Sequence, residues 1–398
     1  MSGATAVRAH RFRLEPSRSQ AIALQRALGA RRYVYNWGLQ RWGAYYAAEG
    51  TSPPRGLLSA EITRLKRNGE LAWLQDLPSQ LPQQALFDLE RSFKAFFKKR
   101  AGYPRFRRKK ELKASFRIPQ HVKVAGNRVY VPKIGWIRAR VSRAPGADLG
   151  SATVSRTADG RWFVSINERF ELPTLAAGAP GSVAGVDLGL IDIVVCDDGH
   201  RVAAPRFARQ SARQVRTAQR RYARTQPGSR RREHARYRLA RVHARVTNRR
   251  QDFIHKLTTE IVRRHDVVVI EDLSLTALAR TKLGKSFGDA ALGEVSRQLD
   301  YKTSWGGKRT ITVDRFFPST RRCSRCHALA ASLALSDRSW QCAVCGSTHD
   351  RDVNAALNLR DEGLRLLRDR GAHGHEQARR VQVRPPMVAQ GAEAGTAN

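Results

Sequence analysis

Two C-x-x-C pairs, Cys323-Ser-Arg-Cys326 and Cys342-Ala-Val-Cys345, separated by fifteen residues, place the tightest constraint on how this chain can fold. Knuckles of this kind bring four thiolates within tetrahedral reach of a single ion, and a gap of ~15–20 residues matches a structural zinc ribbon. Four sulfurs close the coordination shell, so this zinc shapes the polypeptide and does not catalyse. His327 and His349 lie close in sequence but are surplus to a complete four-thiolate set. The fifth cysteine, Cys196, follows an apolar strand and reads as an ordinary buried thiol. Five cysteines in 398 residues form no disulfide framework.

Charge narrows the choice of partner. The chain carries 73 Lys and Arg against 34 Asp and Glu, a formal net charge of +39. Such a surplus repels itself in a compact fold unless a polyanion shares the surface, and nucleic acid is the commonest polyanion in cells. No run approaches the ~18 apolar residues of a membrane span, and the start, MSGATAVRAHRFRLEP, lacks an apolar signal core. A membrane partner and secretion are therefore not indicated. A bacterial cytoplasmic location alongside nucleoid DNA is expected.

Periodicity divides the chain. Residues 1–172 read as a β-rich, barrel-like nucleic-acid recognition module with a helical insertion at about 17–110. Within it, Arg8–Leu14 alternates as a strand, Ser19–Ala47 has helical spacing, and Leu81–Lys110 reads as a second helical region. Period two returns at 128–132, 136–141 and 152–166, where Asp159-Gly160 signals a two-residue hairpin. Pro173–Pro180 is the linker candidate. A second domain is expected over 173–320, with arginine-rich helices at 205–264, then the zinc ribbon at 321–348, the end of the second domain at 349–370, and a disordered tail at 371–398. Arg201–Arg250 holds seventeen arginines and one acid, Glu233, and Pro227-Gly228 splits it into two helices. Residues 280–293 read as a mobile loop.

In so basic a chain, acids at strand ends are informative. Asp187 follows an apolar strand in GVDLG, Glu271 ends VVVIE, and Asp352 lies in HDRDVNAALN at a helix start. Eighty or more residues separate neighbours in this series, so they meet only through the fold. Gathered carboxylates repel unless divalent cations neutralise them. Two magnesium ions ~4 Å apart are the common arrangement for phosphodiester hydrolysis. Taken singly, Asp187 could form a turn, Glu271 could be a surface strand end, and Asp352 could be a helix N-cap. Asp350 competes with Asp352 for the third position, while Asp192, Asp197 and Asp272 read as solvated. LGKS at 283–286 mimics a phosphate loop but lacks the glycine required at Ala279, which argues against ATP binding.

Basic residues interleaved with aromatics are candidate nucleic-acid contacts. Arg220, Arg221, Arg231 and Arg232 are candidates for the phosphate backbone, and so are Lys98, Lys99, Arg105 and Arg107 in the basic stretch at 98–110. Tyr33, Tyr35, Trp37 and the Phe93–Phe97 cluster could stack on bases, with helical-core packing as the competing role.

The order of these motifs resembles the TnpB family, the RNA-guided nucleases of bacterial insertion sequences related to type V CRISPR effectors. The likeness rests on HRFRLEPSRSQ, RRYVYNWGL, GYPRFRRKK, GVDLGLIDIVV, QDFIHKL, VIEDLSL, DRFFPSTRRCSRC and LSDRSWQCAVCGSTHDRDVNAALN, which together extend over nearly the whole chain. The segment 288–302, where the family often carries a tryptophan, departs from the pattern. The resemblance implies a multi-domain α/β fold: an RNase H-like (RuvC) nuclease domain with an inserted zinc ribbon, plus the N-terminal β-rich module with its helical recognition segment. It implies Asp187, Glu271 and Asp352 as the magnesium ligands. It further implies a guide RNA derived from the transposon end, double-stranded target DNA and a short target-adjacent motif. Guide pairing then selects sequence while the protein holds phosphates and A-form shape. The competing readings are a compact type V CRISPR effector of the same chemistry and a non-cleaving nucleic-acid-binding regulator.

Overall fold

The computed structural model describes residues 4–109, 114–173, 181–334 and 336–372. Most of the linker read at 173–180 and of the tail read at 371–398 lies outside them. The chain forms two compact units. One comprises 1–175, 206–255 and 305–307; the other comprises 176–205, 256–304 and 308–398. The arginine-rich stretch thus groups up to His255 with the N-terminal module, whereas its sequence position had suggested the second domain.

In the first unit, β1 (Thr5–Glu15) buries His10, Phe12 and Leu14, every second residue, as a strand with one covered face must. Ser17 and Gln20 then form a reciprocal capping box that starts α1 (Arg18–Glu49). Next come α2 (Arg55–Arg67) and α3 (Leu81–Phe97), inserted before the sheet resumes. Trp42 of α1 stacks on Phe93 of α3 at 4.2 Å between ring centroids, inside a core shared with Leu58, Ile62 and Leu65 of α2. The helical reading of 81–110 ends early: Lys99 takes φ 54, and Pro104 has no backbone N–H with which to continue a helix. Lys110 lies outside the described residues.

Six more strands complete an antiparallel sheet: β2 (Ala114–Ile118), β3 (Lys123–Ala125), β4 (Arg128–Val131), β5 (Gly135–Arg140), β6 (Leu149–Arg156) and β7 (Trp162–Glu171). Their order is β2-β6-β7-β1-β5-β4-β3. Among the described residues no ladder joins β2 to β3, so the sheet is not closed by hydrogen bonds. The β6–β7 hairpin forms, but with Arg156 facing Trp162 its loop has five residues, not two. Asp159 is buried there, held by Thr157 and Arg161, and the Thr157 amide bonds the Arg161 carbonyl. The unit also holds α4 (Phe207–Gln210), α5 (Ala212–Ala223) and the N-terminal part of α6 (Arg230–Arg264).

The second unit is built on a five-stranded sheet of β8 (Val183–Asp187), β9 (Asp192–Cys196), β10 (Arg201–Ala203), β11 (Val267–Glu271) and β12 (Arg309–Val313). Its order is β10-β9-β8-β11-β12. Strands β8, β11 and β12 run parallel, and β9 and β10 form antiparallel partners at one side. Val267–Ile270 is a β-branched run with no polar alternation, and it is buried as a central parallel strand should be. The stretch read as a loop at 280–293 is largely helical instead: α7 (Leu275–Ala279) precedes it, α8 (Gly284–Ala290) lies within it, and α9 (Leu292–Trp305) starts at its end. A small ribbon, β13 (Ser339–Gln341) and β14 (Thr348–Asp350), leads into α10 (Arg351–Ala372). No helix of the described residues is long and apolar enough to cross a membrane.

Candidate active site

Parallel strands gather their C-terminal ends at one edge of a sheet, where ligands of open α/β sheets characteristically sit. Here those ends carry Asp187 on β8 and Glu271 on β11. Gly185 faces Val269 in the ladder, so two residues further on Asp187 comes level with Glu271. Two close approaches fix which face they use. A Cβ on Gly185 would lie 1.9 Å from the Ala356 carbonyl oxygen, and a Cβ on Gly363 would lie 2.4 Å from Cγ2 of Val269. Gly185 and Val269 therefore face α10. Side chains alternate along a strand, so Asp187 and Glu271 emerge on that same face. Asp352 stands one helical turn before Ala356, on the first turn of α10.

Asp187 feels the other two carboxylates. Burial, followed by the charges of Asp352 and Glu271, pushes the Asp187 carboxyl up to about 7. Glu271 is likewise raised, by burial and then by Asp272. A carboxyl perturbed by burial plus specific neighbouring charges at a sheet end is a functional-site signature. Among the described residues the cysteine quartet alone brings three or more metal-type ligand atoms within 4.8 Å of one another, so the carboxylates are spread wider than the shell of one ion.

Asp350 has a different task from Asp352. Its Oδ1 accepts from the amides of Asp352 and Val353, both at 3.0 Å, which caps α10, and Arg201 Nη2 reaches the same carboxylate at 2.5 Å. Burial works against its charge, but these bonds outweigh it and hold Asp350 below the usual range. Asp352 is further from its cations, 3.8 Å from Arg201 and 3.7 Å from Arg338. The acids read as solvated are all paired: Asp192 with Arg201 at 3.2 Å, Asp197 with Arg360 at 2.9 Å and with the Gly185 amide at 3.0 Å, and Asp272 with Arg315. Arg201 and the two glycines escaped the sequence reading. A glycine inside an apolar strand, as in VAGVD, is the signal that marks close backbone approach.

The four cysteines converge as their spacing requires. Cys323 Sγ lies 3.6 Å from Cys345 Sγ, and Cys326 Sγ lies 3.6 Å from Cys342 Sγ. A tetrahedron with metal–sulfur bonds of ~2.3 Å has edges of ~3.8 Å, so the quartet could hold a zinc ion. The Ser347 hydroxyl and amide draw the Cys345 thiol down to about 6, towards the thiolate that a metal needs. His349 stays outside the four-thiolate set but touches it: its Nε2 lies 3.0 Å from Cys323 Sγ, and its ring lies against Trp340 at 4.9 Å. Cys196 is buried apart from this group, and burial, chiefly, pushes its thiol up to about 12.

Comparison with known proteins identifies the family. A protein of Streptomyces pristinaespiralis, provisionally named an RNA-guided DNA endonuclease, is 38% identical over 90% of this chain and 89% of its own length. The chain belongs to the TnpB family. InsQ of Escherichia coli K12, under the same provisional name, is 32% identical over 91% of this chain and 93% of its own. Residues 167–282 match the IS605 OrfB family described as "Probable transposase", and residues 293–359 match the TNB domain of Cas12f1-like proteins. A helix-turn-helix family matches 6–51, where this TnpB chain has β1 followed by the single helix α1. Among solved structures, the Cas12f1 chain from a complex with single-guide RNA and target DNA shares the fold: TM-score 0.53, 13% identity, covering 89% of this chain and 99% of that one.

The candidate contact residues of this TnpB chain fall into two groups. Tyr35 is buried, with its hydroxyl 3.3 Å from Ser92 Oγ and the Arg107 guanidinium over its ring at 4.0 Å, so it packs and cannot receive a base. Arg107 is tied further by the Asn36 side chain, which accepts from its amide at 2.8 Å and donates to its carbonyl at 3.1 Å. Arg232 is also committed: it donates to the Thr225 carbonyl at 2.5 Å and covers the Tyr222 ring, which holds the α5–α6 connection. Arg220, Arg221, Arg231, Lys98, Lys99 and Arg105 are exposed. Tyr33 is also exposed, edge-on to Trp73 at 5.5 Å.

Proposed function

We propose that this chain is an RNA-guided, magnesium-dependent DNA endonuclease of an insertion sequence, with Asp187, Glu271 and Asp352 as its metal ligands. The observation that carries the reading is the pair of glycine contacts, Gly185 on Ala356 and Gly363 on Val269, which turn the two strand-end acids towards the helix that bears the third. The sheet order β10-β9-β8-β11-β12, with two parallel and two antiparallel strand pairs, supports an RNase H-like, RuvC-type nuclease domain. The relatives' names and the guide RNA and target DNA in the related complex point the same way. Guide RNA from the transposon end selects double-stranded DNA beside a target-adjacent motif, and the surplus of +39 neutralises both polyanions. Bound divalent magnesium supplies activation of water and stabilisation of the leaving oxygen. The carboxylates fix where that charge sits, and the zinc ribbon anchors the start of α10.

The test is cleavage of a matched plasmid by the protein purified with its RNA, with and without magnesium, beside Asp187→Ala, Glu271→Ala and Asp352→Ala. Loss of cutting in all three variants with RNA binding retained supports the assignment. Undiminished cutting by any of them removes that residue from the site.

A further inference from the structure

Phe316 is 85% exposed, although it belongs to a segment with little freedom to move. Its amide donates to the Asp314 side chain at 2.8 Å, and the next amide, of Phe317, donates to the Asp314 carbonyl at 3.0 Å. Phe317 packs against the core of β11 and β12, beneath Arg322. Behind the turn, Asn358 of α10 donates to the carbonyls of Ser319 at 2.8 Å and Arg322 at 2.6 Å, and Asn354 bonds the Arg322 carbonyl at 2.8 Å. Two adjacent phenylalanines thus divide on a braced turn, one inwards and one out. A solvent-facing ring gains nothing for folding, since burying a side chain of this size is worth far more than leaving it in water.

Its address is informative. Val313 faces Glu271 across the β11–β12 ladder, and the Asp272 amide donates to the Val313 carbonyl at 3.0 Å. Phe316 is three residues beyond that pair, at the sheet end that carries Asp187 and Glu271. Arg315 beside it is ion-paired with Asp272. An exposed aromatic at the sheet end that carries the candidate metal acids is suited to the one part of a nucleic-acid strand that is neither charged nor repelled, the face of a base.

We propose that Phe316 stacks on an unpaired base next to the scissile phosphate and so holds a single DNA strand in the candidate active site. The proposal rests on the endonuclease reading and names its substrate as a strand whose bases are free of a partner. The full chain with its guide RNA is assayed on matched DNA with magnesium, as wild type, Phe316→Ala and Phe316→Trp, with Asp187→Ala alongside. Phe316→Ala is expected to cut about five- to a hundredfold more slowly, the range that base–aromatic stacking commands. Phe316→Trp recovers the rate, and melting temperature is unchanged in both. An abasic nucleotide beside the mapped cut slows the wild type by a similar factor and leaves Phe316→Ala no slower. Equal rates for wild type and Phe316→Ala, or losses that multiply, overturn the proposal. If the wild type itself leaves matched DNA whole, the endonuclease reading has failed, and stacking is decided separately with a single-stranded oligodeoxynucleotide carrying 2-aminopurine. Quenching by the wild type and not by Phe316→Ala upholds it; equal quenching overturns it.

Discussion

Gly185 and Ala356 meet backbone to backbone: the position a Cβ on Gly185 would take is 1.9 Å from the Ala356 carbonyl oxygen and 2.7 Å from the Arg360 amide. Neither obstacle is a side chain that can swing away. Gly185→Ala must push α10 off β8, and Asp352 moves with it away from Asp187. Overpacking costs of about 1–3 kcal/mol are usual where neighbours can adjust, and this site adjusts poorly. Gly185→Ala is therefore expected to lower the melting temperature and to reduce guided cutting at least a hundredfold. Gly363→Ala, whose obstacle is the Val269 side chain, should be milder in both. Thermal melting and cleavage rates of the two variants check the order.

Asp350 and Asp352 look equivalent in HDRDVNAALN, but their bonds predict opposite outcomes for the same substitution. Asparagine caps helices as well as aspartate does, so Asp350→Asn keeps the amide bonds of Asp352 and Val353 and loses only the charge facing Arg201. It should keep most of the cutting. Asp350→Ala loses the cap, about 1 kcal/mol of stability, and loosens the first turn of α10. Asp352→Asn retains its shape but loses a charge meant for metal, and it should cut at least a hundredfold more slowly with no change in melting. Equal loss in Asp350→Asn and Asp352→Asn would place both residues at the metal.

How far the sequence reached follows from the range of each signal. The zinc quartet and the strand-end acids are local: spacing within a knuckle, or a carboxylate after a β-branched run, is visible in a few residues. So are the strands at 128–141, whose alternation survives in β4 and β5. The five-residue hairpin loop was hidden because Asp159-Gly160 promises a tight turn, whereas the buried Asp159 side chain is bonded across a wider one. Tyr35 was misjudged for a related reason. An aromatic beside a basic stretch has the composition of a base-binding surface, and only the fold reveals that the arginine covers the ring. The different bonding of Asp350 and Asp352 depends on Arg201, which no local pattern connects to either.

The His349 bond to Cys323 Sγ makes a prediction for the ribbon. A donor to a metal-bound thiolate orients the ligand, and loss of such partners typically weakens metal affinity about 10–100-fold. His349→Ala should therefore release zinc to a chelating indicator at correspondingly lower chelator concentration, while still purifying with one zinc per chain. Cys323→Ser should lose zinc outright. Because β14 runs directly into α10, the metal-free protein should also lose guided cutting, and elemental analysis paired with cleavage assays measures both.

Acid stability turns on Glu168. It is 3% exposed on β7, grips Arg8 by two bonds of 2.7 and 2.8 Å, and is also hydrogen-bonded to His10. The Arg8 bonds, opposed by burial and helped by His10, hold its carboxyl at about 2, against 4.5 for an unperturbed glutamate. A depressed carboxyl contributes stability that is complete above the unfolded value and is lost as pH falls from there through the folded one. The contribution is on the order of 3 kcal/mol by that linkage, and removing one partner of a buried pair costs a similar amount. Glu168→Gln should therefore melt well below the wild type at pH 7, and the two should converge between pH 4.5 and pH 2 as the wild-type carboxyl takes up its proton. Melting temperatures of both proteins across that interval test this, and a gap that stays constant down to pH 2 would show that Glu168 acts by packing and not by charge.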